Sequence, residues 1–344
     1  MDVARSVERR LDEFLIAEEQ RWSSFDEDLA RPVGEIRRLV MSGGKRLRPA
    51  FCHWAFVGAG GDPGAQVILD AGAALELLHA FALFHDDIMD GSLSRRGAPV
   101  THEKFAQEHR RSESAGESRR YGEGIAILVG DLTFVYSDQL MTGISETALD
   151  IWHELRIELN VGQLLDLMGS ASLERRRIKA ERICRYKSGK YTIERPLHLG
   201  AMIAAPERCD ELLGLLSDFG LPLGDAFQMR DDVLGAFGET AVTGKPVGDD
   251  LREGKPTPLL ARAFERATHA QRSVLDRVGR NVLDDDTVRE VQGIIVDTGA
   301  LHEMEETISS LRDEALSALE QIPFDDDVRG HLEELAHFVC RRDV

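Results

Sequence analysis

Apolar side chains at helical spacing constrain this chain more than any other feature of its sequence. They recur every three or four residues near the N-terminus and again near the middle, at Val3, Val7, Leu11, Phe14 and Leu15 and at Leu155, Leu159, Leu164 and Leu167. Alternating strand patterns bounded by Asn-Gly or Asp-Gly turns are missing. No linker or internal repeat interrupts the 344 residues. The sequence therefore predicts one large all-α domain, residues 1–344, with ten or more helices.

The charge balance restricts the partners. The formal net charge of −19 argues against a nucleic-acid partner, since phosphate backbones need basic surface, and against docking on anionic lipid. The N-terminus is amphipathic without the apolar region of a signal peptide, and no uncharged apolar run approaches the roughly 18 residues that span a bilayer. The four cysteines form no CxxC pair, which predicts neither zinc nor a disulfide framework. We expect a cytoplasmic protein without stable membrane insertion.

One polar segment stands out from the helical pattern. The stretch EHRRSESAGESRRYGEG, residues 108–124, is rich in Ser, Glu, Arg and Gly and lacks an apolar stripe. Such a composition favours solvation over packing. We expect a mobile surface loop at about 110–124.

The stretch LLHAFALFHDDIMDGSLSRRGAPVTH, residues 77–102, ends an apolar run in three carboxylates. On a helix, Asp86 and Asp90 face the same way, with Asp87 about 100° round the axis. Carboxylate oxygens that converge in this way suit magnesium. Acids are so frequent, 61 of 344, that three at a fixed spacing arise about twice by chance. The alternative is a helix end that frays into solvent, and we interpret the acidic triplets 284–286 and 325–327 as helix caps and solvated turns.

A second acid pair ends another apolar run. In FQMRDDVLGAFG, Asp231 and Asp232 follow the run, and Gln228 lies three residues before Asp231 on the same face. Two such helices with facing acid pairs would hold several metal ions on one shared polyphosphate.

Basic residues stand in or beside glycine-containing loops. Arg and Lys are the side chains that hold phosphate oxygens, and glycine lets a backbone approach an anion; the residues are Lys45, Arg46, Arg48, Arg95, Arg96, Lys187, Lys245 and Lys255. Each alone is more often a solvated surface charge. Together with the acids they predict one metal-rich anion site and one metal-free basic anion site. No nucleophile motif is present, which fits a reaction in which a diphosphate leaves without a covalent intermediate.

Six motifs in order resemble those of the trans-isoprenyl diphosphate synthases, the polyprenyl synthetase family. They run from about residue 40 to 260 and read GGKRLRP, LLHAFALFHDDIMDGSLSRRGAPVTH, VGQLLDL, YKSGKYTIERP, FQMRDDVLGAFG and TGKPVGDDLREGK. The resemblance implies a helical bundle of the isoprenoid synthase type around a deep central cavity. It implies head-to-tail condensation of isopentenyl diphosphate with an allylic diphosphate, three magnesium ions per site and a homodimer.

The resemblance also implies roles for individual residues. Metal ligands would be Asp86, Asp87, Asp90, Asp231 and Asp232. The allylic diphosphate would be held by Arg95, Lys187 and Lys245, and isopentenyl diphosphate by Lys45, Arg48, His79 and Arg96; Lys255 is also predicted to bind substrate. Gln163 and Asp166 would lie near the diphosphate. Gln228 and the backbone of Lys187 and Ser188 would stabilise positive charge on the allylic carbon, which places Lys187, Gln228, Asp86 and Asp87 in the catalytic centre.

Two departures and one length signal qualify the match. Gly235 stands where the second motif usually has a third aspartate, and Ser188 replaces a usual threonine. Phe81, five residues before Asp86, occupies a position where the family uses aromatics to limit elongation, and Ala82 leaves room for a tail. The resemblance favours a short-chain enzyme that makes geranylgeranyl diphosphate, with farnesyl diphosphate second. The alternative is that Phe81 belongs to the core and the floor lies elsewhere.

Two rival functions share this fold. A terpene cyclase would show an Asn/Asp-Asp-x-x-Ser/Thr-x-x-x-Glu second motif, whereas this chain has Gly235 at the Ser/Thr position. A non-catalytic partner subunit of a heteromeric prenyl synthase would have lost its acid clusters, which this chain keeps. A plain helical scaffold would not need basic loops beside the acids. Elongation is therefore the predicted reaction.

Overall fold

The computed structural model describes residues 2–238 and 247–341 and is built almost wholly from helices. The α-helices are α1 Val3–Ser23, α2 Glu27–Met41, α3 Leu47–Gly58, α4 Gln66–Met89, α5 Thr101–Arg111, α6 Ser118–Gln139, α7 Glu146–Ala171, α8 Arg177–Cys184, α9 Arg195–Ala204, α10 Cys209–Phe237, α11 Asp249–Glu253, α12 Pro258–Arg266, α13 His269–Leu275, α14 Asp285–Asp297, α15 Ala300–Leu319 and α16 Asp326–Arg341. A π-helix at Arg185–Glu194, a short 3-10 turn at Pro206–Arg208 and two strands, β1 Ser94–Arg95 and β2 Ala98–Pro99, complete them. The predicted all-α class is confirmed.

Two long helices form the centre of the molecule. Helix α4 packs against α3 and α6, and α10 packs against α15 and the π-helix. Both helices bury apolar side chains over most of their length. Of the described helices, α4 alone is long and apolar enough to cross a membrane, but 61% of its most apolar stretch is buried inside the fold. No disulfide links the four cysteines, all of which lie in described residues.

A tight hairpin directs two adjacent arginines to different places. Strands β1 and β2 pair Ser94 with Pro99 and Arg95 with Ala98. The two residues between them, Arg96 and Gly97, have φ of 52° and 75°, as a two-residue hairpin turn requires. Arg95 therefore turns back toward α4, while Arg96 reaches the loop before α3.

The π-helix sits between α7 and α10 because glycines allow close approach. A Cβ atom at Gly162 of α7 would lie 2.4 Å from the backbone nitrogen of Lys187, and one at Gly224 of α10 would lie 2.7 Å from the carbonyl oxygen of Gly189. Ten residues with i→i+5 hydrogen bonding are rare, and such segments are frequent at functional sites. The packing fixes the backbone of Lys187 and Ser188 between two helices.

The prediction of a mobile loop at about 110–124 is wrong for most of that range. Helix α5 continues to Arg111 and α6 begins at Ser118, so only residues 112–117 lie outside helices. The helices form without an apolar stripe because small residues let them approach closely. A Cβ atom at Gly122 would lie 2.1 Å from the carbonyl oxygen of His102, and Ala106 is buried. Close backbone contact here replaces the large apolar side chains whose absence suggested a loop.

The two acidic triplets that we interpreted as helix caps do begin helices. Asp284 caps α14 and accepts a hydrogen bond from the backbone nitrogen of Thr287 at 2.8 Å. Asp326 and Asp327 form the first turn of α16. Acidic residues stabilise helix N-termini through the helix dipole. These acids therefore have a structural role.

Candidate active site

A cavity of about 410 Å³ lies between the ends of α4 and α10, the π-helix and the loop before α3. Most of the predicted site residues line it, namely Lys45, Arg48, His79, Asp86, Arg96, Lys187, Ser188, Gln228, Asp231, Asp232 and Lys255, together with Asp166. Chain segments separated by more than 200 residues thus contribute to one surface. Asp86 of the first acidic motif and the pair Asp231 and Asp232 of the second share this cavity.

Asp86 is held between a lysine and an amide from two other helices. Its Oδ1 atom lies 3.3 Å from Nζ of Lys187 and accepts a hydrogen bond from Nε2 of Gln163 at 3.0 Å. Lys187 also contacts Asp166 at 2.5 Å. Burial would raise the pKa of Asp86, but the positive charges of Lys187, Lys255 and Arg95 hold it below its ordinary value. Asp86 is therefore ionised and able to ligate a cation.

Asp90 lies one turn further along, at the C-cap of α4. Nζ of Lys255 lies 3.0 Å from its Oδ2 atom and forms an ion pair with it. Burial, opposed by Lys255 and reinforced by Asp86, raises the pKa of Asp90. The ammonium group of Lys255 thus stands beside the carboxylate that the sequence predicts as a metal ligand.

Asp87 and Arg95 do not line this cavity. Asp87 is buried, and its carboxylate accepts hydrogen bonds from Nε and Nη2 of Arg95 at 3.0 Å and 2.7 Å. Both line a second, much smaller cavity of about 40 Å³. The physical reason is the turn of about 100° that separates Asp87 from Asp86 round the helix axis. Asp87 holds Arg95 of the hairpin, and its role as a metal ligand stays a prediction.

The second acid pair begins one turn before the end of α10. Asp232 is 4% exposed and accepts a hydrogen bond from Nε2 of Gln228 at 2.9 Å. Burial raises the pKa of Asp232 well above its ordinary value, and the neighbouring carboxylates Asp250, Asp231 and Asp166 raise it further. The Sγ atom of Cys184 lies 3.9 Å from Oδ2 of Asp232. Mutual repulsion between acids of this kind is relieved when a cation binds.

Two further residues that line the cavity, Arg48 and His79, are basic. Arg48 donates to Oγ1 of Thr192 at 3.0 Å and lies over the ring of Tyr191, with Cζ 4.2 Å from the centroid. Its Nε atom and Nδ1 of His79 are buried without a hydrogen-bond partner in the part of the chain that the structure describes. Burial, and then the charges of Arg48, Arg95 and Arg96, hold the pKa of His79 well below its ordinary value. A neutral imidazole and a fixed guanidinium thus have unused donors for an anion.

Three of the arginines and lysines near the first loop have different environments. Arg46 is buried and paired with Glu76 at 2.5 Å and Glu8 at 3.1 Å, so its charge is already neutralised. Lys45 lies over the ring of Phe338, 4.9 Å from its centroid. Arg96 donates to Oγ of Ser42 at 2.9 Å and to the carbonyl oxygen of Gly43. Lys45 of this loop and Arg96 of the hairpin therefore line the cavity. The charge of Arg46 is instead balanced by Glu76 and Glu8.

Three further predicted residues have no observed place in this cavity, two because they lie elsewhere and one because the structure does not describe it. Phe81 and Ala82 do not line it; Phe81 packs against Phe134 and His85, with ring centroids 4.8 Å apart in both pairs. Lys245 lies outside the described residues. The assignments of these residues remain predictions.

The donor set fits magnesium. Within residues 2–238 and 247–341, no three His, Cys, Asp or Glu side chains already converge as a metal cage, because Lys187 and Lys255 stand between the carboxylates. Mg²⁺ does not need such a cage, since it is usually bound by one or two carboxylates, waters and substrate phosphates. Asp86, Asp231 and Asp232 supply hard oxygen donors at one cavity, and Asp90 lies one turn beyond Asp86 on the same helix.

Sequence reasoning missed one carboxylate at this site. Asp250 of α11 lines the cavity beside Asp231 and Asp232, and its Oδ1 atom lies 3.7 Å from Nζ of Lys255. The motif TGKPVGDDLREGK contains Asp250, but only its lysines were predicted to bind substrate. The glycine at 235, where an acid is usual, was the available sign that another segment supplies a carboxylate.

The family model for polyprenyl synthetase matches residues 33–295 of this chain. The chain belongs to the polyprenyl synthetase family, the trans-isoprenyl diphosphate synthases. It is therefore a transferase of prenyl groups, and the motifs described above are those of an elongating synthase.

Relatives and solved structures support this membership over almost the whole length. A geranylfarnesyl diphosphate synthase of Aeropyrum pernix is 32% identical over 302 residues, 85% of this chain and 88% of the relative. A geranylgeranyl diphosphate synthase of Sulfolobus acidocaldarius is 33% identical over 88% of both chains. The geranylgeranyl pyrophosphate synthase of Corynebacterium glutamicum, solved with isoprenyl diphosphate and magnesium, superposes with a TM-score of 0.93 at 36% identity and covers 99% of this chain and 100% of that one.

Proposed function

We propose that this polyprenyl synthetase condenses isopentenyl diphosphate head-to-tail with an allylic diphosphate, with magnesium, and releases geranylgeranyl diphosphate, with farnesyl diphosphate as the second candidate. The observation that carries the proposal is the division of one cavity into an acidic and a basic wall. Asp86, Asp231 and Asp232, which we call the acidic wall, and Arg48 and His79, which we call the basic wall, all line this cavity. Two diphosphates of similar charge need this division, because only one of them must leave.

The acidic wall is suited to the diphosphate that departs. Magnesium bound by Asp86, Asp90, Asp231 and Asp232 would neutralise charge as the diphosphate leaves. Lys187 and Lys255 hold their own charges there, since carboxylates outweigh burial and raise the pKa of both lysines. The two ammonium groups therefore remain protonated at neutral pH and hold the allylic diphosphate in place.

The basic wall is suited to the diphosphate that is retained. Arg48 and His79 have buried nitrogen atoms without a partner in the described residues, and Lys45 and Arg96 stand beside them. These groups bind isopentenyl diphosphate without metal, so its carbon–oxygen bond is not activated. The double bond is held near the allylic carbon by this position.

The cation is stabilised by dipoles that are already oriented. Gln228 donates through Nε2 to Asp232, so the partial negative charge of its Oε1 atom remains for the allylic carbon. The π-helix fixes the backbone at Lys187 and Ser188 against Gly162. Preorganised dipoles cost no reorganisation as charge develops. Attack by the isopentenyl double bond and loss of one proton, with the released pyrophosphate as the base, then give a diphosphate longer by five carbons.

Product length is proposed from the position of Phe81. Its ring, with those of Phe134 and His85, forms an aromatic cluster on the α4 and α6 side of the protein. Phe81 lies five residues, or about 7.5 Å of helix rise, before Asp86. A chain that grows along α4 from the acidic wall would meet this cluster. The solved Corynebacterium enzyme that is 36% identical is a geranylgeranyl pyrophosphate synthase, which supports the same product.

A homodimer is proposed from an apolar surface. Nine of the nineteen exposed large apolar side chains in the described ranges stand on α6 and α7: Tyr121, Ile127, Leu128, Val135, Ile157, Val161, Leu164, Leu167 and Met168. The two helices share a groove lined by Phe134, Ile157 and Val161. An apolar surface of this kind marks an interaction site. A second copy is the occupant that fits, because an isologous contact buries the same face on both chains.

The test is a product analysis. Purified protein and magnesium are incubated with isopentenyl diphosphate and, separately, dimethylallyl, geranyl and farnesyl diphosphates, and the released chains are sized. Accumulation of the twenty-carbon diphosphate supports the proposal in full, and another single length supports the reaction but not the product. Cyclic hydrocarbons would indicate a terpene cyclase. Absence of any turnover with all primers would indicate a partner subunit. Addition of a chelator in excess over magnesium is expected to abolish elongation.

A further inference from the structure

The second acidic motif lacks a carboxylate on the face of α10 that points toward the cavity. Asp231 and residue 235 are four apart, so their side chains would lie one above the other on the same face of the helix. Residue 235 is glycine. A metal site formed by α10 alone would thus contain Asp231 and Asp232 without a third acid.

The structure shows what occupies the place above Gly235. A Cβ atom built there would lie 1.8 Å from Oδ2 and 2.6 Å from Cγ of Asp250. The carboxylate of Asp250 thus occupies the volume that a side chain at 235 would need. Helix α11, which carries Asp250, packs directly against α10. Glycine at 235 is required for this arrangement, since any larger residue would have to displace the carboxylate.

A second observation places the same carboxylate in the acidic wall. Asp250 lines the cavity with Asp231 and Asp232 and approaches Lys255. The carboxylate of Asp250 therefore belongs to the same cavity as Asp231 and Asp232.

We propose that Asp250 supplies the third carboxylate of the second acidic motif, in place of residue 235, and helps to bind the metal ion that Asp231 holds with the allylic diphosphate. The inference rests on the proposed function. In this arrangement the carboxylate comes from Asp250 of α11 and not from residue 235 of α10. Glycine at 235 leaves the space that the carboxylate of Asp250 occupies. The departure from the usual motif is then compensated by a residue of this chain.

The test measures metal affinity directly. Full-length protein is titrated with Mn²⁺ without pyrophosphate, which would itself chelate the ion, and free Mn²⁺ is followed by its electron paramagnetic resonance signal. Asp250→Asn keeps the shape of the side chain and removes its charge. It is expected to weaken Mn²⁺ binding about tenfold or more, the size of effect seen for groups that support a metal site, with unchanged helical circular dichroism.

Two further variants make the test specific. Asp286→Asn removes the same charge from a side chain that is 90% exposed on α14, and it is expected to bind Mn²⁺ like the unmodified protein. The double variant Gly235→Asp/Asp250→Gly returns the carboxylate to α10, and it is expected to bind Mn²⁺ within about threefold of the unmodified protein.

Unchanged Mn²⁺ affinity in Asp250→Asn would overturn the inference, as would equal losses in Asp250→Asn and Asp286→Asn. A double variant that binds no better than Asp250→Asn would show that the two positions are not equivalent and would also overturn it. The proposed function is judged separately, from elongation by the unmodified protein. If that protein elongates and Asp250→Asn binds Mn²⁺ normally, the inference alone fails.

Discussion

Asp86 shows how one side chain serves both as part of the fold and as part of the site. Its carboxylate contacts Lys187 and Gln163, while Lys187 keeps a second carboxylate partner in Asp166. Removal of the charge at residue 86 therefore leaves Lys187 neutralised. The stability of the fold and the chemistry of the site can be separated at this residue.

We expect Asp86→Asn to lower kcat by at least about 10²-fold, because an uncharged amide is a poor magnesium ligand and the departing diphosphate loses stabilisation. Steady-state elongation at saturating magnesium measures the effect, and thermal unfolding checks that the fold is intact. Asp286→Asn is the charge-matched control on an exposed side chain. Turnover within threefold of the unmodified protein would contradict the assignment of Asp86 to the metal.

His198 predicts a dependence of stability on pH that is unrelated to the active site. It is 3% exposed, and its Nε2 atom lies 3.1 Å from both the carbonyl oxygen of Leu213 and Oγ of Ser217. Burial, and then the charge of Arg195, lower the pKa of His198 to about 3. Because the pKa in the folded protein lies below the ordinary value of about 6.5, the unfolded chain binds the proton more tightly. This contribution to stability is present above pH 6.5 and is lost as the pH falls toward 3.

Between pH 7 and pH 5.5 the loss from His198 should be about 1.2 kcal/mol. Urea unfolding at these two pH values and at one protein concentration measures it. In His198→Gln the difference between the two free energies of unfolding should shrink by about 1 kcal/mol. His302→Gln, on a side chain that is 80% exposed, should leave the difference unchanged. An identical difference in His198→Gln and the unmodified protein would show that His198 does not take up the proton.

At the scale of elements, α4 combines two functions along its length. Its end carries Asp86 and Asp90, and the preceding turns carry Phe81, which packs against Phe134 of α6. Both lie on one rigid helix, so the distance between the acidic end and the aromatic cluster is fixed by the helix rise. In this proposal the length of the product chain is set by the spacing of two groups along α4.

We expect Phe81→Ala to lengthen the product by at least one five-carbon unit, because it removes the ring that closes the proposed path along α4. Chromatographic sizing of the diphosphates formed from farnesyl diphosphate and isopentenyl diphosphate measures this. Phe264→Ala removes a partly buried ring from α12 and should leave the length unchanged. A product distribution that is the same in Phe81→Ala would place the floor of the channel elsewhere.

At the scale of the whole molecule, exposed apolar side chains are concentrated on α6 and α7, which carry nine of the nineteen in the described ranges. On α7, Ile157, Val161, Leu164 and Met168 follow each other at helical spacing and are 42–60% exposed. They lie outside the core that the other helices bury. The proposed homodimer would cover them.

Leu128→Glu is expected to convert the protein from dimer to monomer at micromolar concentration, because a symmetric contact would bury two unpaired carboxylates. Size-exclusion chromatography with light scattering gives the mass. Val282→Glu, at a residue that is 99% exposed away from these helices, should remain dimeric. A dimer of unchanged affinity in Leu128→Glu would exclude this face as the interface.

Comparison of the sequence with the structure shows which kinds of statement each supports. The helical class followed from apolar periodicity, and the acid pairs at the ends of α4 and α10 followed from their spacing. The π-helix could not be predicted from the sequence, because a change in hydrogen-bonding register over ten residues does not alter the apolar pattern. The loop at 110–124 was wrong because small residues at a helix contact carry no apolar signal.

Local spacing and contiguous motifs were enough to predict the helical class, the family and the chemical types of the site residues. Which charges meet depends on how the helices pack. The packing paired Asp87 with Arg95 and Arg46 with Glu76, and it brought Asp250 over Gly235. Electrostatic interactions depend on distances in space, and residues far apart in the chain acquire such distances only when the helices pack.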